Sequence, residues 1–495
     1  MKKKLLYNTV SSLLFQILTI ICGFVLPRLF IGEYGSEING LVSSITQFLS
    51  IISFLELGVG AVIQSSLYKP LSQNDIYEIS TIQVAGNRFF RKIAYVLVLY
   101  IAVLTIVYPF IANQGYGWAF TAMLILAISI SSFAQYYFGI VDRILLVADQ
   151  RGYIAYNSQI ITLIANTISC ILLIKSGASI HLVKLTTSII YLVRPLAIRL
   201  YINSHYKIDW KVQIKEDPIK QKWDAVTQHI AYIILNDTDT IVLTLLSTLS
   251  NVSIYSVYYM VVNGIKTLFL SMTNGFQSIM GEMWAKQEIN KLTDFFSMVE
   301  YTLHTIIVLI FTVTAMLIIP FISVYTNRIA DVNYIQPTFA VLLITAYALH
   351  CLSTPYHIMI KAAGHFKQTS ICYIIAATLN ILISVVTVRC FGLTGVALGT
   401  LSAMLFQTVW LACYNSKNLI KVPIIIFIKR CTIDVACAGL IVFVTHKIKL
   451  NNLSFTSWVL MAFKVFCMAT LSTIVLNLIV CYKDIKSVVF FIKNK

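Results

Sequence analysis

Long apolar runs alternate with short polar connections along the whole chain, and the length of the runs sets the reading. A helix needs about 20 apolar residues to cross the hydrocarbon of a bilayer. Runs of that size occupy 10–31, 41–67, 93–112, 118–141, 154–174 and 180–198. The longest polar segment, 199–224, follows them. Further runs cover 226–249, 254–281, 301–325, 335–360, 370–388, 393–414, 428–445 and 458–481. The pattern predicts an all-α polytopic membrane protein with about 14 transmembrane helices.

Composition closes off the alternatives. The chain is 58% hydrophobic and 12% charged, against about 25% charged in a soluble domain, so its surface cannot be solvated by water throughout. The 37 Lys and Arg outnumber the 20 Asp and Glu, a balance that elsewhere suggests nucleic acid. Their placement argues against it. With the N-terminus inside, 27 of the 37 fall on cytoplasmic connections or, like Lys429 and Arg430, at the cytoplasmic edge of a run, five fall outside and five deeper within runs, as the positive-inside rule requires. Both termini are therefore expected in the cytoplasm. Met1-Lys2-Lys3-Lys4 has the charge of a signal n-region, but the apolar run behind it is too long and lacks a small-residue cleavage site. It reads as a first spanning helix. The ten cysteines form no C-x-x-C pair, which indicates neither a zinc site nor a disulfide framework.

The chain also looks duplicated. Pro109-Phe110-Ile111 ends the third run and Pro320-Phe321-Ile322 the ninth, 211 positions later. Ala148-Asp149-Gln150 opens the fifth run and Ala363-Gly364-His365 the eleventh, 215 later, and the seventh run starts 216 after the first. The expected organisation is an N-terminal six-helix lobe at 1–200, a cytoplasmic linker at 201–225, a C-terminal six-helix lobe at 226–415, and two further helices with a cytoplasmic tail at 416–495. An even number of helices per repeat relates the lobes by a pseudo-two-fold axis along the membrane normal, an arrangement common in transporters.

Candidate chemistry follows from depth. An ionised side chain at membrane depth costs roughly 2.5–3.5 kcal/mol on insertion scales and marks a substrate or ion pathway by default. Lys266, Asp237, Asp239 and Glu56 sit about 15–20 Å from the starts of their helices at 1.5 Å per residue, too deep to reach water along the helix. The bland alternative is an Asp237–Lys266 ion pair locking two neighbouring helices. Arg28, after Pro27, and Lys184 lie nearer the ends of their spans, and Arg194, before Pro195, lies in the inner half of the sixth. All three either snorkel or face a cavity; Lys464 reads as snorkelling. Gly58, Gly60, Asn263, Gly264, Asn274 and Gly275 read either as close packing through small residues or as bending points. His304, His350 and His357 read as hydrogen-bonded packing residues. There is no Walker motif and no G-x-G-x-x-G, and the short outer loops leave no room for a catalytic site, so an enzyme is not expected. Asn236-Asp237-Thr238-Asp239-Thr240 has the look of an acidic metal motif but lies within a span.

Two stretches carry a resemblance. LPRLFIGEYGSEINGLVSSITQFLSIISFLELGVGAVI, near the start, is similar to the first two helices of bacterial polysaccharide-export flippases. These are the O-antigen and capsule-unit translocases of the multidrug/oligosaccharidyl-lipid/polysaccharide exporter superfamily. ILNDTDTIVLTLL at 234–246, followed by Tyr255-Ser256-Val257-Tyr258, resembles the start of their second half. The resemblance implies a multi-pass protein of the bacterial cytoplasmic membrane that flips an undecaprenyl-pyrophosphate-linked oligosaccharide by alternating access. A cationic cavity is typical of that family, and Arg28, Lys184, Arg194 and Lys266 are the positions here that would supply it. Glu56, Asp237 and Asp239 would then balance those charges or respond to H+ or Na+, with no other cofactor. The partners implied are the lipid-linked oligosaccharide, membrane lipids, and a polysaccharide polymerase with its chain-length machinery, and no nucleic acid. The competing expectations are a cation-coupled multidrug antiporter of the same superfamily and a polytopic glycosyltransferase or polymerase.

Overall fold

The computed structural model describes residues 2–56, 59–112, 115–212, 234, 238–420, 422–482 and 484–486. Among them all regular secondary structure is helical, and ten helices are long and apolar enough to cross a membrane. The protein is an all-α polytopic membrane protein. Of the other four expected spans, 226–249 lies largely outside the described residues, as does Asp237. The run 254–281 falls within one helix of 37 residues. The run 428–445 falls in a helix that carries Lys429, Arg430 and Asp434 in its first half. The run 41–67 is broken in the middle.

By its contacts the chain divides into two compact units, Met1–Ile233 with Thr248–Ser253, and Ile234–Ser247 with Ile254–Lys495. In the first unit, α1 (Lys2–Tyr34) runs through Pro27 without a break. A short α2 (Ser36–Ser50) tightens into a 3-10 segment, Ile51–Glu56, before α3 (Val59–Gln73) resumes. Helix α4 (Ile76–Ile111) starts at Asp75, whose side chain accepts from Glu78 N–H at 2.9 Å, a cap that satisfies one of the orphan donors of the first turn. Its 36 residues span about 54 Å, well beyond a hydrocarbon core of about 30 Å. Next come α5 (Trp118–Ala134), a π-helical turn at Gln135–Gly139, α6 (Ile140–Ala148), α7 (Gly152–Lys175) and α8 (Ile180–His205). Helix α7 packs between α1 and α8, and α5 packs on α4 and α8.

The turn between α6 and α7 ties one end of this unit together. Asp149 lies 2.9 Å from Arg151 Nε and 3.5 Å from Lys4 Nζ, and it accepts the Tyr206 hydroxyl at 2.5 Å. Asn8 donates to Gln150 O and accepts from Tyr153 N–H. Burial first, and the Asp149 carboxylate second, raise the Tyr206 phenol above its ordinary range.

The second unit contains α9 (Leu249–Ala285) from Ile254 onward, α10 (Ile289–Tyr325), α11 (Pro337–Leu352), α12 (Thr354–Ala363), α13 (Phe366–Phe391), α14 (Leu393–Asn418), α15 (Ile424–Thr445) and α16 (Phe455–Val480). Helices α13 and α14 form a close hairpin through small residues. A Cβ on Gly399 would meet Ser384 Oγ at 2.1 Å and Asn380 O at 2.7 Å, and one on Gly395 would meet Thr387 backbone at 2.5 Å. This Gly395-x-x-x-Gly399 spacing lets two backbones approach where the hydrophobic effect offers no drive between helices. The last two helices dock on α10, where Val308, Val313 and Leu317 meet Cys437, Ile441, Met461 and Val465 in one apolar cluster.

Gly399→Ala should therefore lower unfolding stability by about 1–3 kcal/mol through overpacking. Gly264→Ala, which meets nothing within 4 Å, should leave stability unchanged or slightly raised. Thermal unfolding of the two variants in detergent, compared with the parent, checks this.

Candidate transport site

The break in the second span and the π turn in the fourth meet at one hydrogen bond. Tyr136, in the π turn, donates its hydroxyl to Glu56 Oε1 at 2.6 Å, at the end of the 3-10 segment. A π turn widens the helix by one residue and aims side chains that a regular helix would not. The same turn seats α8: a Cβ on Gly139 would meet Pro195 Cβ at 2.9 Å, so only glycine lets the two helices close there. Glu56 and Arg194–Pro195, read from the sequence as separate features, thus lie around one irregular turn.

Arg194 is held in place by its own helix and by α7. Its Nε donates to Thr162 Oγ1 at 2.6 Å, and its guanidinium lies 3.7 Å from the Tyr191 ring centroid. Asn166 of α7 donates to the Tyr191 hydroxyl at 3.2 Å. Lys184, ten positions earlier on α8, rests its ammonium 4.0 Å from the Phe30 ring of α1. Among the described residues neither cation makes an ion pair. Ring faces stabilise a cation electrostatically while leaving its N–H donors usable. Arg28 is half-buried on α1, one residue beyond Pro27, which does not interrupt the helix.

In the second unit the buried charges also fall among aromatic and hydroxyl groups. Lys266 is 4% exposed, with its ammonium 5.1 Å from the Tyr347 ring and 5.9 Å from the Tyr259 ring. Asp239 is 2% exposed and receives hydrogen bonds from Tyr255 at 2.9 Å, Thr400 at 2.7 Å and Asn380 at 3.4 Å. The donors come from α9, α14 and α13, so one carboxylate ties three helices to the helical residues 238–246. His350 and His357 lie 6.3 Å apart by ring centroids, and His357 Nδ1 lies 2.6 Å from the Tyr373 hydroxyl.

Three carboxylate contacts escape sequence reading. Arg199 Nε lies 2.8 Å from Asp142, which is fully buried. Arg430 Nε lies 2.8 Å from Glu300, and His304 Nδ1 lies 2.6 Å from Asp434. Arg199 and Arg430 stand near span ends, where sequence assigns them to cytoplasmic connections. Each finds its carboxylate on another helix, 57 and 130 positions away. Among the described residues no group of three or more metal-ligating side chains occurs.

No protein-family model matches the chain, and no curated protein matches it. Solved structures do. The lipid II flippase MurJ in an inward closed conformation aligns with a TM-score of 0.68 at 15% identity, covering 94% of this chain and 97% of that one. An inward-facing multidrug resistance MATE family transporter of the MOP superfamily gives 0.59 at 14% identity, with 83% and 99% covered. The MATE multidrug transporter DinF-BH gives 0.59 at 14% identity, with 86% and 97% covered. The chain has the fold of the MurJ and MATE transporters. The likeness extends over most of this chain and nearly all of each of those chains.

Removing the donor to Glu56 tests how far the π turn depends on that bond. Tyr136→Phe should cost about 0.5–1.5 kcal/mol of stability, the net contribution of a typical hydrogen bond to a half-buried acceptor. Glu56→Gln, which still accepts from the hydroxyl, should cost less. Chemical denaturation of both variants in micelles gives the comparison.

Proposed function

We propose that the protein is a flippase that moves an undecaprenyl-pyrophosphate-linked oligosaccharide across the bacterial cytoplasmic membrane by alternating access, in O-antigen, capsule or exopolysaccharide assembly. The observation that carries this reading is the pair Lys184 and Arg194 on α8, two ring-backed cations without an ion pair among the described residues. A diphosphate leaving water needs fixed positive charge in place of its hydration, and arginine offers paired N–H donors that fit phosphate oxygens. The fold shared with a lipid II flippase supports a lipid-linked cargo, and the sequence resemblance to polysaccharide-export flippases supports the sugar class. Arg28 and Lys266 extend the same role.

Glu56 and Asp239, with Asp237 outside the described residues, are proposed to respond to H+ or Na+. Protonating Asp239 removes the charge that Tyr255, Thr400 and Asn380 solvate. A coupling ion shifts the transport equilibrium only through different affinity for the two states. The membrane orientation proposed has both termini cytoplasmic, and the partners are a polysaccharide polymerase with its chain-length machinery.

A second reading, a cation-coupled multidrug antiporter, is favoured by the Glu56 and Asp239 carboxylates and by the MATE alignments. Export and drug assays separate the two. Arg194→Ala, Lys266→Ala and Arg28→Ala, each verified as inserted, should lower polysaccharide export about tenfold or more, since a hydrogen bond to a charged group contributes about 1.5–3 kcal/mol. Drug susceptibility should not change. Unimpaired export in all three, or drug sensitisation on deletion of the gene, would favour the antiporter.

A further inference from the structure

A pocket of about 600 Å³ opens among α10, α15 and α16, using none of the cations considered for transport. Its polar wall carries both signs. Lys429 and Arg430 stand on α15, Asp434 one turn further along the same helix, and Asp484 just beyond α16. Arg430 is held by Glu300 at 2.8 Å, by Asp484 at 3.6 Å and by the Ser297 hydroxyl at 2.9 Å. Deeper in, Asp434 fixes His304 through Nδ1 at 2.6 Å. His304 borders the pocket and is 2% exposed, and its Nε2 is fully buried with no hydrogen-bond partner among the described residues. The Asp434 carboxylate, 14% exposed, is the acceptor that the deep end of the pocket offers to a donor.

The pocket's lip identifies the direction from which a ligand arrives. Ile479 is 75% exposed at its edge, beside Tyr482 at 56%. On a membrane-crossing helix such an isoleucine faces hydrocarbon, and a tyrosine at the helix end marks the interface. A molecule entering over Ile479 comes from the bilayer. Charge then selects the head. A purely anionic head meets Asp434 and Asp484, and a quaternary ammonium has no N–H to give to Asp434.

We propose that this pocket binds one bilayer phospholipid with a zwitterionic aminophosphate head. Its primary ammonium donates to Asp434, its phosphate lies against Lys429, and its chains leave over Ile479. The site is independent of the transported cargo, and its occupancy is read without any transport measurement.

Native mass spectrometry of the full chain released from nanodiscs containing equal phosphatidylethanolamine, phosphatidylcholine and phosphatidylglycerol tests it. One phosphatidylethanolamine per chain should survive activation that strips the other two lipids. Lys429→Ala, a change at an exposed position, and the isosteric Asp434→Asn should each lower the phosphatidylethanolamine-bound fraction about tenfold. Equal retention of the three lipids, or undiminished retention in Lys429→Ala with a parent-like melting temperature, would overturn the proposal. Displacement of the lipid by soluble O-phosphoethanolamine would overturn its bilayer origin.

Discussion

Hydrocarbon does not solvate an ion, so each charge carried into a membrane span has to be met by other groups of the protein. This chain meets the requirement in two ways, and the difference between them organises the structure. Near helix ends, Arg199 faces Asp142 and Arg430 faces Glu300, each at 2.8 Å. Such pairs are costly to break from one side, because the partner is left buried and uncompensated, which suits a role in holding helices. Lys184 and Arg194 instead lie on the rings of Phe30 and Tyr191, and Arg194 spends one donor on the Thr162 hydroxyl. A ring stabilises the cation without neutralising it, so the remaining donors can meet an anionic ligand. That contrast supports assigning these two cations to the cargo rather than to the scaffold.

Irregular backbone gathers where function is proposed. The 3-10 segment ending at Glu56, the π turn at Gln135–Gly139 and Pro195 come together through Tyr136 and Gly139. Regular helices fix the rest of each unit, as in the α13–α14 hairpin closed by Gly395 and Gly399. A turn that departs from α geometry has more than one way to satisfy its backbone, so it is a natural place for a helix to change shape when a ligand binds. A neutral donor such as Tyr136 keeps Glu56 placed without cancelling its charge.

Much of the fold was legible because hydrocarbon imposes a length: ten apolar runs became ten helices that can cross a membrane. The interruption at Glu56 was legible only as one of two readings of Gly58 and Gly60, because 41–67 is apolar on both sides of it, and the bond from a tyrosine 80 positions away was not legible at all. Pro27 lies inside an apolar run and does not interrupt it, since α1 absorbs it within a single helix. The Gly395–Gly399 spacing was on the page and carries the hairpin, yet its meaning depends on knowing which helix lies opposite. Depth singled out Lys266 and Asp239, and both are buried. Asp142, Glu300 and Asp434 went unread for the opposite reason: each lies close to a polar connection, and only tertiary packing shows that it is matched to a base on another helix.

The account stands on one claim, that ring-backed cations carry a lipid-linked diphosphate through the membrane. Its most direct measurement uses purified protein reconstituted into liposomes with an undecaprenyl-pyrophosphate-linked oligosaccharide, following the sugar's exposure to a membrane-impermeant reagent on each side. The account predicts protein-dependent translocation that falls steeply when Lys184 and Arg194 are both replaced by glutamine. Translocation at the parental rate in that double variant, with the protein folded and inserted, would contradict it.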